Sequence, residues 1–286
     1  MTVLKWSCWC FIILLACSQK KKSETIASIP GYNLADPVII HLKPELDEIS
    51  GIAYYPKDTS LFAINDELGI LYKIYLRQSI VIKQWKFSAE GDYEDILLHD
   101  STFYILQSNG NIDAVSFSAK GEPQSEIYKA PFNGINDFET IYYDEESKLI
   151  ILICKNCTSD SKKAITAYAF NPADDTYLEK PFCRLNTDTI GSLLHSEYIK
   201  FKPSAAAIHP VSKDLYILSS VEKAVAIAGR DGTVREAYSL DPKFFKQPEG
   251  ICFKPNGDMF ISNESAEVGS ATILLYKYKP EINEGD

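Results

Sequence analysis

Glu48-Ile49-Ser50-Gly51-Ile52-Ala53-Tyr54-Tyr55-Pro56 opens a unit that recurs through the chain. It returns as Tyr93-Glu94-Asp95-Ile96-Leu97-Leu98 and as Phe138-Glu139-Thr140-Ile141-Tyr142-Tyr143. Pro203-Ser204-Ala205-Ala206-Ala207-Ile208-His209-Pro210 is the fourth copy and Pro248-Glu249-Gly250-Ile251-Cys252-Phe253-Lys254-Pro255 the fifth. With Ser50, Glu94, Glu139, Ser204 and Glu249 as equivalents, the steps are 44, 45, 65 and 45 residues. Each start is followed by a turn and a second apolar run: 61–65, 103–107, 149–154, 215–219 and 259–263. A third run follows each at 71–76, 112–117, 164–170, 224–228 and 272–278. A fourth, more polar run closes four of the units at 80–87, 126–130, 180–185 and 234–240. Short runs bounded by Gly, Asn, Asp and Pro read as strands, and four strands per roughly 45 residues is the arithmetic of a propeller blade.

The fold class expected is therefore all-β, a five-bladed propeller. Six blades are the alternative if the long step hides a degenerate one, and a strand-rich sandwich is a more distant one. The excess of about 20 residues in that step is expected within 155–163 and 187–200. The fifth unit lacks a fourth strand, and Pro37-Val38-Ile39-Ile40-His41-Leu42 is available to complete it and clasp the ring shut. Closure pairs edges that would otherwise be exposed. No run of ten or more residues has a helical pattern, which argues against α/β folds.

Composition agrees with this and narrows the function. The chain is 45% hydrophobic, 12% aromatic and 24% charged, enough apolar material for a folded body. Its net charge is -10, and an acidic chain lacks the cationic face that nucleic-acid binding needs. Residues 1–16 read as a signal peptide, with Lys5 ahead of an apolar run too short to span a bilayer. Leu14-Leu15-Ala16-Cys17 looks like a bacterial lipobox, with Cys17 as the lipidated mature N-terminus. The expected organisation is a signal peptide over 1–16, a lipidated flexible tether over 17–35, a propeller over 36–280 and a tail over 281–286. The expected location is the bacterial cell envelope, anchored to the inner or outer membrane with the propeller outside the cytoplasm. Cleavage leaves Cys154, Cys157, Cys183 and Cys252 beside the lipidated one, with three full disulfide pairings open. Cys154 and Cys157 have the CxxC spacing, which allows a disulfide; a zinc site lacks further ligands.

The first strand of each propeller blade lines the central axis, so Ser50, Glu94, Glu139, Ser204 and Glu249 are expected to form one ring. Three converging carboxylates must retain a proton or hold a cation. For carboxylate and hydroxyl oxygens in an exported protein that cation is calcium, with magnesium second. The alternative is that each Glu accepts backbone N–H groups of the next blade and ties the blades together. Asp66, Glu67 and Glu264, at the ends of second runs, are candidates for a polar pocket at the channel mouth, against ordinary turn chemistry. His41, His99, His195 and His209 share no metal-binding spacing, and no nucleophile elbow or phosphate loop occurs.

The units EISGIAYYP, YEDILL, FETIYYD, SAAAIHP and PEGICFKP, followed by LYILSS and MFISNES, resemble the SdiA-regulated family of bacterial propellers across 36–278. The resemblance implies a five-bladed propeller, exported or membrane-tethered, with a calcium site and Glu at the unit starts that match Glu94, Glu139 and Glu249. Asp95 after Glu94, and Ala205 after Ser204, depart from the family pattern. The resemblance names a scaffold more firmly than an activity. The expected function is a non-catalytic binding or scaffold module with calcium in its channel, engaging a protein, glycan or small ligand. The alternative is a calcium-dependent hydrolase, lactonase-like or phosphoesterase-like, with the ion as Lewis acid; a purely structural calcium is a third reading.

Overall fold

The second run of each unit is apolar at nearly every position, a pattern that suits a strand covered on both faces. The computed structural model, which describes residues 28–76, 81–265 and 269–280, builds such a strand in each of five antiparallel sheets. Blade one is β2 (Ile49–Tyr55), β3 (Ser60–Asn65), β4 (Ile70–Tyr75) and β5 (Val81–Lys86). Blade two is β6 (Tyr93–His99), β7 (Thr102–Gln107), β8 (Ile112–Phe117) and β9 (Pro123–Tyr128). Blade three is β10 (Phe138–Asp144), β11 (Leu149–Cys154) and β12 (Ala164–Asn171), with an outer edge split into β13 (Thr176–Tyr177) and β14 (Cys183–Asn186). Blade four is β15 (Ala205–Ile208), β16 (Leu215–Ser219), β17 (Ala224–Ala228) and β18 (Val234–Ser239). Blade five is β19 (Pro248–Phe253), β20 (Met259–Asn263) and β21 (Thr272–Tyr276), completed by β1 (Val38–His41).

The strand near the N-terminus thus closes the ring, with Val38 opposite Leu275 and Ile40 opposite Ile273. Each inner strand packs on the next, and β19 packs on β2. The core is correspondingly distributed between successive blades, as in the Phe62, Ile64, Tyr93 and Ile105 cluster of blades one and two. The long step holds one blade: its excess lies in the 155–163 loop, the break between β13 and β14, and a helix α1 (Thr187–Leu193) capped by Asn186. The fourth strand expected at 180–185 is interrupted there, and β9 begins at Pro123, ahead of the run expected at 126–130.

Within the tether expected over 17–35, Ile29 and Tyr32 are buried against blades four and five. Ser212 N–H donates to His209 Nδ1 at 3.0 Å, so Nε2 carries the ring proton and donates to Tyr32 Oη at 2.8 Å. Tyr32 Oη in turn donates to Gly257 O at 2.5 Å. Tyr216, Phe253 and Tyr278 surround the His209 ring. Signal peptide and Cys17 lie outside the described residues. Among the described residues no helix is long and apolar enough to cross a membrane.

Candidate functional site: an acidic channel mouth

A β-bulge places one extra residue in a strand and re-aims its side chain. Register shifts in the inner strands fall between Tyr93 and Asp95, Phe138 and Thr140, and Pro248 and Gly250. The skipped residues are Glu94, Glu139 and Glu249. In blade one the shift spans Ser50 and Gly51, between Ile49 and Ile52. Four of the five sequence equivalents are therefore bulged, and the fifth, Ser204, immediately precedes β15.

Two more sets of equivalents surround this ring. Two residues before each ring position stand Glu48, Asp92, Asp137, Lys202 and Gln247; just after each second strand stand Asp66, Ser108, Lys155, Ser220 and Glu264. The sets are stitched together by the backbone. Asp66 N–H donates to Glu48 O at 3.3 Å, Ser108 to Asp92 at 3.0 Å, Lys155 to Asp137 at 2.7 Å and Glu264 to Gln247 at 3.0 Å. Eight of these fifteen positions carry carboxyl groups and two carry lysine.

The charges feel one another. Burial and then the Glu139 charge raise the Glu94 carboxyl far above its ordinary range, and Glu94 also shares a hydrogen bond with Asp92. Glu249 is pushed up to about 8 by burial, Glu139 and Glu264. Glu264 is raised by burial and by a hydrogen bond and charge from Glu48. Asp66 is pushed up to about 6 by burial and then Glu48 and Glu67. Its Oδ1 is buried and has no hydrogen-bond partner among the described residues. Glu139 is raised by burial against the opposing pull of Lys155, whose ammonium donates to Glu139 Oε1. Burial pulls the Lys155 ammonium down, but Glu139, Asp137 and Glu94 outweigh it and its net shift is upward. Asp66, Glu67 and Glu264 thus join the same mouth as the ring glutamates.

The ring serines have another task. Ser204 Oγ donates to Pro248 O at 2.7 Å and accepts from Ser220 N–H at 3.2 Å. Ser50 O accepts from Ser262 Oγ at 3.0 Å. Both fasten one blade to the next. The tie expected of the glutamates belongs to Asp95, which accepts from Ile96 N–H at 2.8 Å, Ile141 N–H at 3.0 Å and Thr140 Oγ1 at 3.2 Å. Asp95 sits so close to blade one that a Cβ on Gly51 would lie 2.6 Å from its Cα.

The donor chemistry suits calcium, but the arrangement does not. Oxygens on one calcium at about 2.4 Å lie within about 4.8 Å of one another. Among the described residues the one set of three candidate ligands meeting 4.8 Å is Cys154, Cys157 and Asp160. Its two sulfurs are already joined as the Cys154–Cys157 disulfide. Among the described residues the carboxylates of Glu94, Glu139 and Glu249 are thus not gathered to that spacing; Glu139 holds Lys155, and Ser204 Oγ is engaged with blade five.

The opposite end of the channel is different. A cavity of about 670 Å³ opens there between the inner-strand ends, lined by residues such as Ile52, Ile96, Ile141, Ala206 and Ile251. On the mouth side, exposed apolar residues stand on three neighbouring loops: Ile135 at 71%, Tyr198 at 90% and Val221 at 56%. These loops touch. Ile135 N–H donates to Thr158 Oγ1 at 2.9 Å, Lys202 Nζ to Lys155 O at 2.9 Å and Lys200 N–H to Glu222 Oε2 at 3.0 Å.

Lys155, Asp92, Asp137 and Glu48 escaped the sequence reading. Moving two residues upstream of each ring position finds Glu48, Asp92 and Asp137, and extending the second-run comparison just past the end of β11 finds Lys155.

No family model and no curated protein matches the chain. Solved structures do. Glutaminyl cyclase from Myxococcus xanthus aligns over 85% of this chain and 98% of its own at 12% identity and a TM-score of 0.55. A glucose dehydrogenase aligns over 84% and 99% at 10% identity and 0.53. A gluconolactonase from Xanthomonas campestris aligns over 89% and 86% at 12% identity and 0.51. At such identities the likeness is one of fold, the β-propeller, and of nothing finer.

Proposed function

We propose that the chain is a non-catalytic binding module, held at a membrane of the bacterial envelope by lipid on Cys17. Its mouth face engages a protein partner that presents a cationic side chain flanked by apolar ones. The observation that carries this reading is the juxtaposition on one face: eight carboxyl positions against two lysines, beside the exposed crest of Ile135, Tyr198 and Val221. Exposed apolar groups rimmed by charge mark interaction sites, and excess charge of one sign steers an opposite partner. Asp66 Oδ1 supports it, being a buried acceptor with no donor among the described residues.

The test is calorimetric titration of the full chain at pH 8 with two short peptides, a lysine flanked by leucines and a lysine flanked by glycines. Tighter binding of the first, lost in Tyr198→Ser with Val221→Ser, is the expected result. Equal binding of both, or none, would overturn it. A lactone assay on the same preparation addresses the hydrolase alternative: turnover abolished by Glu139→Gln would replace the present reading.

A further inference from the structure

Converging carboxyl groups are stabilised by a retained proton or by a positive charge, and the chain places lysine side chains of its own at this hub. Asp66, Ser108, Lys155, Ser220 and Glu264 are structural equivalents, and lysine stands at just one of them. Its ammonium is ion-paired to Glu139. The Glu139 side chain is 9% exposed and that of Lys155 34%, so the pair lies at the inner wall of the mouth.

The surrounding loop is built to hold that ammonium in place. Lys155 and Asn156 form the middle of the ring closed by the Cys154–Cys157 disulfide. Both of their backbone N–H groups donate to Asp137 O, at 2.7 and 3.1 Å. Lys202 Nζ reaches Lys155 O at 2.9 Å and Asn156 Oδ1 at 3.5 Å. Asp160 then fixes the far side of the ring, accepting from Cys157 N–H at 2.9 Å and Thr166 N–H at 2.7 Å. Each bond removes freedom from the segment that carries the lysine, while the Lys155 stem is left to extend into the mouth.

We infer that the Lys155 ammonium is the resident cation of the hub, a tethered substitute for a metal ion, and that the Cys154–Cys157 disulfide is its positioning element. This accounts for the mismatch with calcium: Glu139, which an ion would need, is already engaged. A lysine in the wall has a high local concentration and no dissociation step, so an external dication must displace it before binding. Deleting the ammonium frees Glu139 and leaves Glu94, Glu139 and Glu249 with less countercharge. The same mouth should then accept a hard dication. This inference does not depend on the protein-partner reading, which concerns the outer face.

The experiment is calorimetric titration with calcium chloride, paired with thermal melting with calcium or chelator, on wild type and Lys155→Met. Methionine keeps an unbranched apolar stem and removes the charge. The expected result is calcium affinity at least tenfold higher in Lys155→Met, with a calcium-dependent rise in melting temperature that the wild type lacks. Adding Glu139→Gln to Lys155→Met should abolish the gain. The double variant Cys154→Ser with Cys157→Ser keeps the lysine but frees its loop, and should bind calcium between the two. Circular dichroism establishes that each variant is folded. Wild-type affinity equal to or above that of folded Lys155→Met would overturn the substitute-cation claim. A cysteine double variant indistinguishable from wild type would overturn the positioning role of the disulfide.

Discussion

Lowering the pH from 7 to 5 should weaken the docking of residues 28–34, and His209 should be the cause. The ring is fully buried, and its pKa is lowered from 6.5 to about 4. Burial is the main cause, with the Lys213 charge adding to it and the Asp214 charge opposing. Geometry points the same way, since protonating Nδ1 would leave it facing the Ser212 N–H that it now accepts. The unfolded chain takes up the proton near 6.5 and the folded one only near 4. The neutral ring's contribution is therefore complete above 6.5 and is lost as pH falls toward 4. At 1.36 kcal/mol per pH unit the full loss is about 3 kcal/mol, of which about 2 kcal/mol falls between pH 7 and pH 5. The raised carboxyl groups of the mouth act in the opposite sense, so the raw stability of the protein does not isolate this effect. The assay is urea unfolding of wild type and His209→Gln at both pH values. The difference between the two proteins should shrink by about 2 kcal/mol on acidification. A difference that stays constant within 0.5 kcal/mol, about the limit for independent sites, would refute the reasoning.

Three further outcomes are expected. Asp95→Ala removes the acceptor that serves Ile141 N–H and Thr140 Oγ1 across the blade boundary, and should cost about 3 kcal/mol or more in denaturant unfolding. Gly51→Ala would set a Cβ 2.6 Å from both Asp95 Cα and Ile96 N, backbone that cannot swing away, and should lower stability by about 3 kcal/mol. Cys17→Ser should move the protein from the membrane fraction to the soluble fraction and abolish acyl labelling; unchanged partitioning would remove the lipid anchor from the proposal.

The blades were legible because each repeat states its strands twice over, in apolar runs and in the turn residues between them. Closure by β1 was legible from a deficit, since a blade short of one strand must find it elsewhere. The ring of Glu94, Glu139 and Glu249 was legible from equivalence alone, although only the structure shows that bulges carry these residues. Lys155 was hidden because it sits at the start of the 155–163 excess, where the eye reads insertion and not register. Asp95 was hidden by its neighbour: Glu94 fits the expected pattern, so the residue beside it passed as a small departure. Ser204 kept its place but gave its hydroxyl to Pro248 O, because a hydroxyl's partner is set by which blade edge lies within reach, whereas Ser50 takes part through its backbone carbonyl. The docking of Ile29 and Tyr32 could not be read from a short, polar-flanked segment whose partners lie more than 170 positions away.

Blade five is the one sheet assembled from opposite ends of the chain, β1 with β19, β20 and β21. Four blades can zip up from neighbouring segments as they emerge, but this one must wait for β21. A polypeptide delivered vectorially, N-terminus first, therefore remains an open arc until the β20–β21 hairpin arrives, and loss of that hairpin strands β1 without a partner. The same seam is where the finished ring should first come undone under mechanical or thermal load.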